Sequence, residues 1–216
     1  MNAPFDEIPV LPVVIPLALV LFAALLWRLR ARDAFSLPRA AVAAALSVYA
    51  AGIVGNTIFP IFLTGVASDE PWTPAVALVP FADYEVGDAV TNILVFVPLG
   101  ILVALMLARP SWVRVLAVSA GVSAGVELLQ LAAQRLFFGG HVADVNDLLS
   151  NVAGGALGYG LLMLALRHPR LAALIGRFRW TDAAPDARED RPTPKGSTGL
   201  DGTAAGQTAS SSRSSR

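Results

Sequence analysis

The chain has 216 residues, of which 55% are hydrophobic and 15% charged, and its mean hydropathy is +0.62. A composition this apolar is unusual for a water-soluble domain. The formal net charge is zero and there is no cysteine. Bulk basicity therefore gives no reason to expect a nucleic-acid partner, and disulfides and thiolate metal sites are excluded.

Five apolar segments follow one another along the chain, and each is close to the ~20 residues that a helix needs to cross ~30 Å of hydrocarbon. They cover residues 9–27, 40–63, 91–108, 112–133 and 148–166. A lone segment in lipid must satisfy its own backbone hydrogen bonds, so each is predicted to be a transmembrane helix. Asp6 and Glu7 precede the first segment, which is therefore predicted to be a span and not a signal peptide. The expected fold class is all-α, a polytopic membrane protein built as a bundle of five transmembrane helices.

Charge alternates between the connecting segments. Arginines follow the first, third and fifth segments, whereas the N-terminus and the other two connections carry nine acidic residues and one cation, Arg135. The positive-inside rule therefore predicts that the N-terminus lies outside and the C-terminus inside the membrane. Residues 181–216 are rich in Ser, Gly, Pro and charge, so they are predicted to form a disordered cytoplasmic tail.

Polar residues within the fourth segment recur at helical spacing. They are Ser119, Ser123, Glu127, Gln130 and Gln134, which fall on one narrow stripe of a helix. Asp144, Asp147 and Asn151 form a second stripe at the start of the fifth segment. Asp88 and Asn92 are an i, i+4 pair entering the third segment. Polar faces are costly in lipid, so these residues are predicted to face one another.

Two pairs of glycines have the GxxxG spacing that lets membrane helices approach closely. Gly121 and Gly125 lie in the fourth segment, and Gly154 and Gly158 lie in the fifth. Because both pairs lie near the polar stripes, they predict that the fourth and fifth helices pack against each other.

Glu127 lies about six residues inside the outer end of its segment, a depth at which an ionised carboxylate needs a partner. Arg135, two helical turns further on, is the candidate counter-charge. Three interpretations stay open. Glu127 belongs to a structural hydrogen-bond network with Gln130, Asn151 and Arg135, or to a ligand or substrate site, or to a path for protons or ions.

His141, Asp144 and Asp147 lie before and at the start of the fifth helix. Carboxylates at these positions suit the positive end of a helix and cap its free N–H groups. A contact to a polar ligand is a second interpretation, and a divalent metal is a third, weakened because no second histidine lies nearby. We therefore assign no metal site and no cofactor. The sequence contains no common hydrolase, phosphate-binding or dinucleotide motif, so no catalytic residue is assigned.

Several short motifs follow one another in the second half of the chain. They are ALVPF (77–81), TNILVFVPLGILV (91–103), GVELLQL (125–131) and ADVNDLLSNVAGGALGYG (143–160). In this order and spacing they resemble the VanZ-like membrane proteins, a family named for an accessory protein of glycopeptide resistance. Carried over by position, the family pattern falls on Asn92, Phe96, Pro98, Gly100, Glu127, Gln130, Asp144, Asp147, Asn151, Gly154 and Gly158.

The resemblance implies a division of the chain into three regions. Residues 1–64 hold two N-terminal transmembrane helices, residues 65–170 hold a VanZ-like domain of three transmembrane helices, and residues 181–216 hold the tail. One departure concerns charge, because His141 stands where relatives carry an arginine shortly before the first aspartate. Either Arg135 supplies that charge from another place, or His141 makes the site weaker or dependent on pH.

The resemblance also implies a function. It is a non-enzymatic role at the outer membrane face, in sensitivity to lipoglycopeptides such as teicoplanin or in cell-envelope homeostasis. The expected partners are the lipid bilayer and a lipid-linked cell-wall precursor or lipoglycopeptide, with no nucleic acid. One alternative is an intramembrane enzyme that acts on a lipid-linked wall precursor, with the carboxylates as acid and base. Another is a small transporter. Five spans contain no internal repeat, so the chain would have to form a homo-oligomer to work as one.

Overall fold

A computed structural model describes residues 7–59, 61–62, 76–77, 79–80, 85–137 and 143–180. Six helices follow one another in these ranges. They are α1 (Leu11–Ala31), α2 (Leu37–Ile58), α3 (Val86–Met106), α4 (Trp112–Phe137), α5 (Val145–Leu166) and α6 (Pro169–Phe178). Helices α1 to α5 are long and apolar enough to cross a membrane, which confirms the predicted all-α bundle of five spans. The predicted tail, residues 181–216, lies outside the described residues.

At one end of the bundle the helices extend further than the apolar segments predicted. This end, called the polar end below, holds the start of α3, the end of α4 and the start of α5. Helix α3 begins at Val86, before the apolar segment that starts at residue 91, and α4 continues to Phe137. Helix α5 begins at Val145, before its apolar segment and where the polar stripe from Asp144 predicted its start. Polar residues can continue a helix beyond the hydrocarbon, because there they are not exposed to lipid. Acids in the first turn also interact favourably with the helix dipole. Asp88 of α3 and Asp147 of α5 are such acids.

Two pairs of very short strands join segments that are distant in the sequence. Strand β1 (Glu7–Ile8) pairs antiparallel with β2 (Ile61–Phe62), and β3 (Val76–Ala77) pairs parallel with β4 (Ala143–Asp144). Strands of two residues are too short to show an alternating pattern, so the sequence did not predict them. The second pair brings the chain that precedes α3 beside the residues that begin α5.

Glycines bring α3 and α5 into close backbone contact, the most extensive helix contact in the described part of the chain. A Cβ atom on Gly154 would overlap the carbonyl oxygen of Ile93 in α3, and one on Gly158 would overlap that of Val97. Small residues at such a contact let two membrane helices gain dispersion energy along their backbones. The GxxxG pair of α5 therefore packs against α3.

The other glycine pair requires a correction. Helices α4 and α5 do pack against each other as predicted, but an added Cβ atom at Gly121 or Gly125 would meet no atom within 4 Å, so these two glycines are not at that contact. Helix α4 instead approaches α5 at Gly155, where an added Cβ would overlap the hydroxyl of Ser119. The spacing of glycines marks a face that can be approached closely, but it does not say which face of α4 is used.

Large apolar side chains cover the outside of the bundle. Leu19 of α1, Leu94 of α3 and Leu128 of α4 are each more than half exposed in the isolated chain. A continuous apolar surface of this kind is unfavourable in water and suits a lipid bilayer. The buried residues of the core lie between α3, α4 and α5. They include Phe96, Leu99, Val103, Val115, Tyr159 and Leu162.

The opposite end of the bundle, called the basic end below, is closed by α6 and the two residues after it. The Trp180 backbone N–H donates to the carbonyl of Leu105 (2.9 Å), and its indole N–H donates to the carbonyl of Arg39 (3.3 Å). In return, Nε of Arg39 donates to the carbonyl of Arg179 over 2.8 Å. These bonds connect the start of α2, the end of α3 and the end of α6. Helix α6 was not predicted from the sequence, because its ten residues are too few for a span.

Candidate functional site

The start of α5 is fixed by its own first carboxylate. Asp144 is extended (φ −122°, ψ 128°) and its side chain accepts a hydrogen bond from the Asn146 backbone N–H over 2.8 Å. This bond satisfies one of the N–H groups that have no partner at a helix start. Asp144 therefore has the capping role that was one of the interpretations of the sequence.

Glu127 connects α4 to the same point. Its Oε2 accepts a hydrogen bond from the backbone N–H of Asp144 over 3.1 Å, and its side chain is half-buried. The Asp144 N–H lies in β4, before the first turn of α5, where no intrahelical acceptor is available to it. The carboxylate of Glu127 thus ties α4 to the residue that caps α5.

A second carboxylate connects α5 to α3. Nδ2 of Asn92 donates to Oδ1 of Asp147 over 2.6 Å, and both residues are half-buried. Asp88, one helical turn before Asn92, is exposed at the start of α3. The carboxylates of Glu127, Asp144 and Asp147 and the amide of Asn92 therefore meet where three helices converge.

Deeper in the bundle, amides and hydroxyls continue the polar face. Nδ2 of Asn151 donates to Oγ of Ser123 over 2.9 Å, one turn below Glu127. Asn151 is 4% exposed, and its Oδ1 has no hydrogen-bond partner in the described residues. Two further buried atoms have no hydrogen-bond partner in the described residues: Oε1 of Gln130, one turn nearer the polar end than Glu127, and the hydroxyl of Ser119, one turn deeper than Ser123. Buried acceptors without a partner are costly, so these atoms are places where a donor from a ligand or from water would be favourable.

We call this set of side chains the polar cluster. It comprises Asp88, Asn92, Ser123, Glu127, Gln130, Asp144, Asp147 and Asn151. It offers mainly hydrogen-bond acceptors, among them the oxygens of four carboxyl groups. Within the described residues, no group of three or more His, Asp and Glu side chains is arranged to hold a metal ion.

Two of the predicted site residues stay predictions. His141 lies outside the described residues. The backbone of Arg135 belongs to α4, but its side chain is not among those described.

Sequence reasoning missed two features of the site. Asn146 is 1% exposed although it is polar and lies in the first turn of α5, where exposure is the usual state. Strand β3 was also missed, although the motif ALVPF begins within it. Its pairing with β4 places that motif next to Asp144, and no periodicity in the sequence could have indicated this contact.

The five apolar helices and the polar cluster between three of them define a multi-pass α-helical membrane protein. The sequence model of the VanZ/LLP1 family matches residues 46–166, more than half of the chain. The chain therefore belongs to the VanZ/LLP1 family. No curated protein and no solved structure matches it.

The matched region begins earlier than the motifs that carried the resemblance. It starts inside α2, whereas the motifs began at residue 77. It ends at Leu166, the last residue of α5, so α6 and the contacts of Trp180 lie beyond it. The polar cluster lies wholly within the matched region.

Proposed function

We propose that this chain is a non-enzymatic VanZ-like factor at the outer face of a bacterial plasma membrane. In this proposal the polar cluster binds a ligand that donates hydrogen bonds, and the binding changes sensitivity to teicoplanin-type glycopeptides or supports cell-envelope homeostasis. The observation that carries the proposal is the meeting of α3, α4 and α5 at carboxylates whose hydrogen bonds join the three helices.

The arrangement of charge supports the outer location. The acids of the polar cluster lie at one end of the bundle, and ten arginines of the described residues lie at the other. The positive-inside rule then directs the basic end to the cytoplasm and the polar cluster to the outside. Glycopeptides and lipid-linked wall precursors present amide N–H groups and hydroxyls at that surface, and these are donors that the acceptors of the cluster can bind.

The hydrogen bonds of the cluster give its carboxyl groups a role other than proton transfer, which supports the binding role in this proposal. Glu127, Asp144 and Asp147 each have an oxygen that accepts a hydrogen bond from the chain itself. Carboxylates used in this way position helices and leave their remaining lone pairs for a ligand.

Susceptibility of cells to an acylated glycopeptide tests the proposal. A strain that lacks the chain is compared with strains that carry the wild type, Asp144→Asn/Asp147→Asn, or Glu85→Gln at matched protein levels. Glu85 is an exposed carboxylate at the same end whose side chain makes no cap hydrogen bond, so it controls for charge alone. The wild type and Glu85→Gln should restore the susceptibility or the growth under wall stress, and the double variant should not. Identical behaviour of all four strains would contradict the proposal.

A further inference from the structure

The basic end of the bundle carries a large excess of positive charge. The described arginines at this end are Arg28, Arg30, Arg32, Arg39, Arg109, Arg114, Arg167, Arg170, Arg177 and Arg179. Asp33 is the one carboxylate that the described residues place among them. An excess of positive charge at one end is enough to orient the protein in the membrane. Orientation does not require that arginines line a cavity.

A cavity of about 360 Å³ lies at this end, where the end of α3, the last turns of α5 and α6 meet. Two cationic residues, Arg109 and Arg179, line it. Its other walls are mainly apolar and include Ala104, Leu162, Leu166 and Ile175. None of the described carboxylates lines this cavity, which is called the arginine cavity below.

Both arginines belong to backbone that is held in place. The carbonyl of Arg179 accepts from Nε of Arg39, and the next residue, Trp180, donates its backbone N–H to the carbonyl of Leu105. The carbonyl of Arg109 accepts from Nη1 of Arg114 over 2.6 Å. Fixed backbone reduces the entropy lost when a long cationic side chain binds a ligand.

Helix α6 indicates the depth of the cavity in the membrane. Ile175 and Phe178 pack towards the core, while Leu171 and Leu174 on the same side of the helix are 43% and 50% exposed. Arg170 and Arg177 lie on a different face. A short helix with this division lies in the membrane interface, at the level of the lipid headgroups. The arginine cavity next to α6 is then at headgroup depth.

We propose that the arginine cavity binds an anionic phospholipid of the inner leaflet, with its phosphate at Arg109 and Arg179 and part of an acyl chain against the apolar wall. Guanidinium groups bind phosphate oxygens through two parallel hydrogen bonds, and the cytoplasmic leaflet supplies anionic lipid. A free phosphate would use the two arginines but would gain nothing from Leu162, Leu166 and Ile175. An uncharged lipid would leave both guanidinium groups without an anion.

The test measures lipid retention by the full chain. The protein is extracted in a mild detergent, offered equal amounts of phosphatidylglycerol and phosphatidylcholine, and analysed by native mass spectrometry. The wild type should retain phosphatidylglycerol selectively, and Arg109→Gln/Arg179→Gln should bind it about tenfold more weakly or worse. The matched control is Arg28→Gln/Arg170→Gln, which removes the same charge from the same end without touching the cavity, and it should retain the lipid.

Two further arms separate the alternatives. Ala108→Trp fills the mouth of the cavity at an exposed position and keeps both arginines, so it should lose the lipid while its thermal unfolding stays as in the wild type. Inorganic phosphate should not displace the lipid at matched ionic strength. Equal loss in the two arginine double variants, retention by Ala108→Trp, or displacement by phosphate alone would each overturn the proposal.

Discussion

The side-chain amide of Asn92 on α3 donates a hydrogen bond to the carboxylate of Asp147 on α5 over 2.6 Å. The two residues are distant in the sequence, and each lies near the start of its helix. Helices α3 and α5 both run from the polar end, and this bond joins the second turn of α3 to the first turn of α5. The polar cluster is therefore part of the helix packing as well as the proposed ligand site.

Replacing Asn92 should measure what this bond contributes. In Asn92→Ala the bond is lost, and we expect the free energy of unfolding in detergent to fall by about 0.6 kcal/mol and by no more than about 1.7 kcal/mol, the mean and the maximum measured for polar contacts between membrane helices. Thr91→Ala is the control, because the hydroxyl of Thr91 is exposed and bonds only to Gly87 of the same helix among the described contacts. A loss no larger than that of the control would show that the bond does not hold α3 to α5.

The contact between Glu127 and Asp144 predicts an order of severity. Glu127→Gln keeps an oxygen that can accept from the Asp144 N–H, whereas Glu127→Ala leaves that N–H without its acceptor. Thermal unfolding should therefore show a small change for Gln and a larger loss for Ala. Leu128→Ala, at an exposed neighbouring position, should resemble the wild type. Equal stability of both Glu127 variants and the wild type would mean that this residue faces lipid or water.

The close approach of α3 and α5 predicts opposite results for two glycines. Gly158→Ala should lower the free energy of unfolding by about 1–3 kcal/mol, because the new methyl group overlaps the Val97 carbonyl oxygen. Gly121→Ala has open space and should raise stability by about 0.5–1 kcal/mol, since alanine favours the helix. Denaturation of both proteins in the same detergent gives the comparison. The reverse order would contradict the packing described for α5.

Charge asymmetry predicts the orientation in the membrane. A reporter fused after Arg179 should be cytoplasmic, and one inserted near Asp69 should be external. Alkaline phosphatase and green fluorescent protein fusions distinguish the two sides. The opposite pattern would place the polar cluster inside the cell and remove the basis for a role at the outer face.

The sequence predicted the features that hydrophobicity and helical period determine. Five spans followed from segment length. The polar faces that bring Asn92 to Asp147 and Ser123 to Asn151 followed from the spacing of polar residues on α3, α4 and α5. Contacts that depend on where a neighbouring helix lies could not be predicted from the sequence. The pattern at Gly121 was the same as at Gly154, but only the second glycine approaches a neighbouring helix closely.

Helix α6 shows a different reason for a miss. Leu171, Leu174, Ile175 and Phe178 recur at helical spacing, so a signal was present. The run of apolar residues is too short to cross a bilayer, so the prediction left these residues in the basic segment after the fifth span. The hydrogen bonds of Trp180 to distant carbonyls, in contrast, leave no trace in the sequence.

The most direct test of the central claim, that the polar cluster binds and does not catalyse, compares Asp144→Asn, Asp147→Asn and the double variant. Asparagine also caps helices well and keeps an acceptor for the Asn92 amide, so these changes remove charge and preserve both contacts. Each variant is expressed at a matched level in the deletion strain, and glycopeptide susceptibility or growth under wall stress is measured.

If the cluster binds a ligand, each single variant should lose part of the function and the losses should be roughly additive. A catalytic carboxylate behaves differently, because its removal costs about 10²–10⁴ in rate and residues that act as a unit are not additive. A single variant as inactive as the deletion, with no further loss in the double variant and with protein levels intact, would contradict the binding account and support a membrane-embedded enzyme.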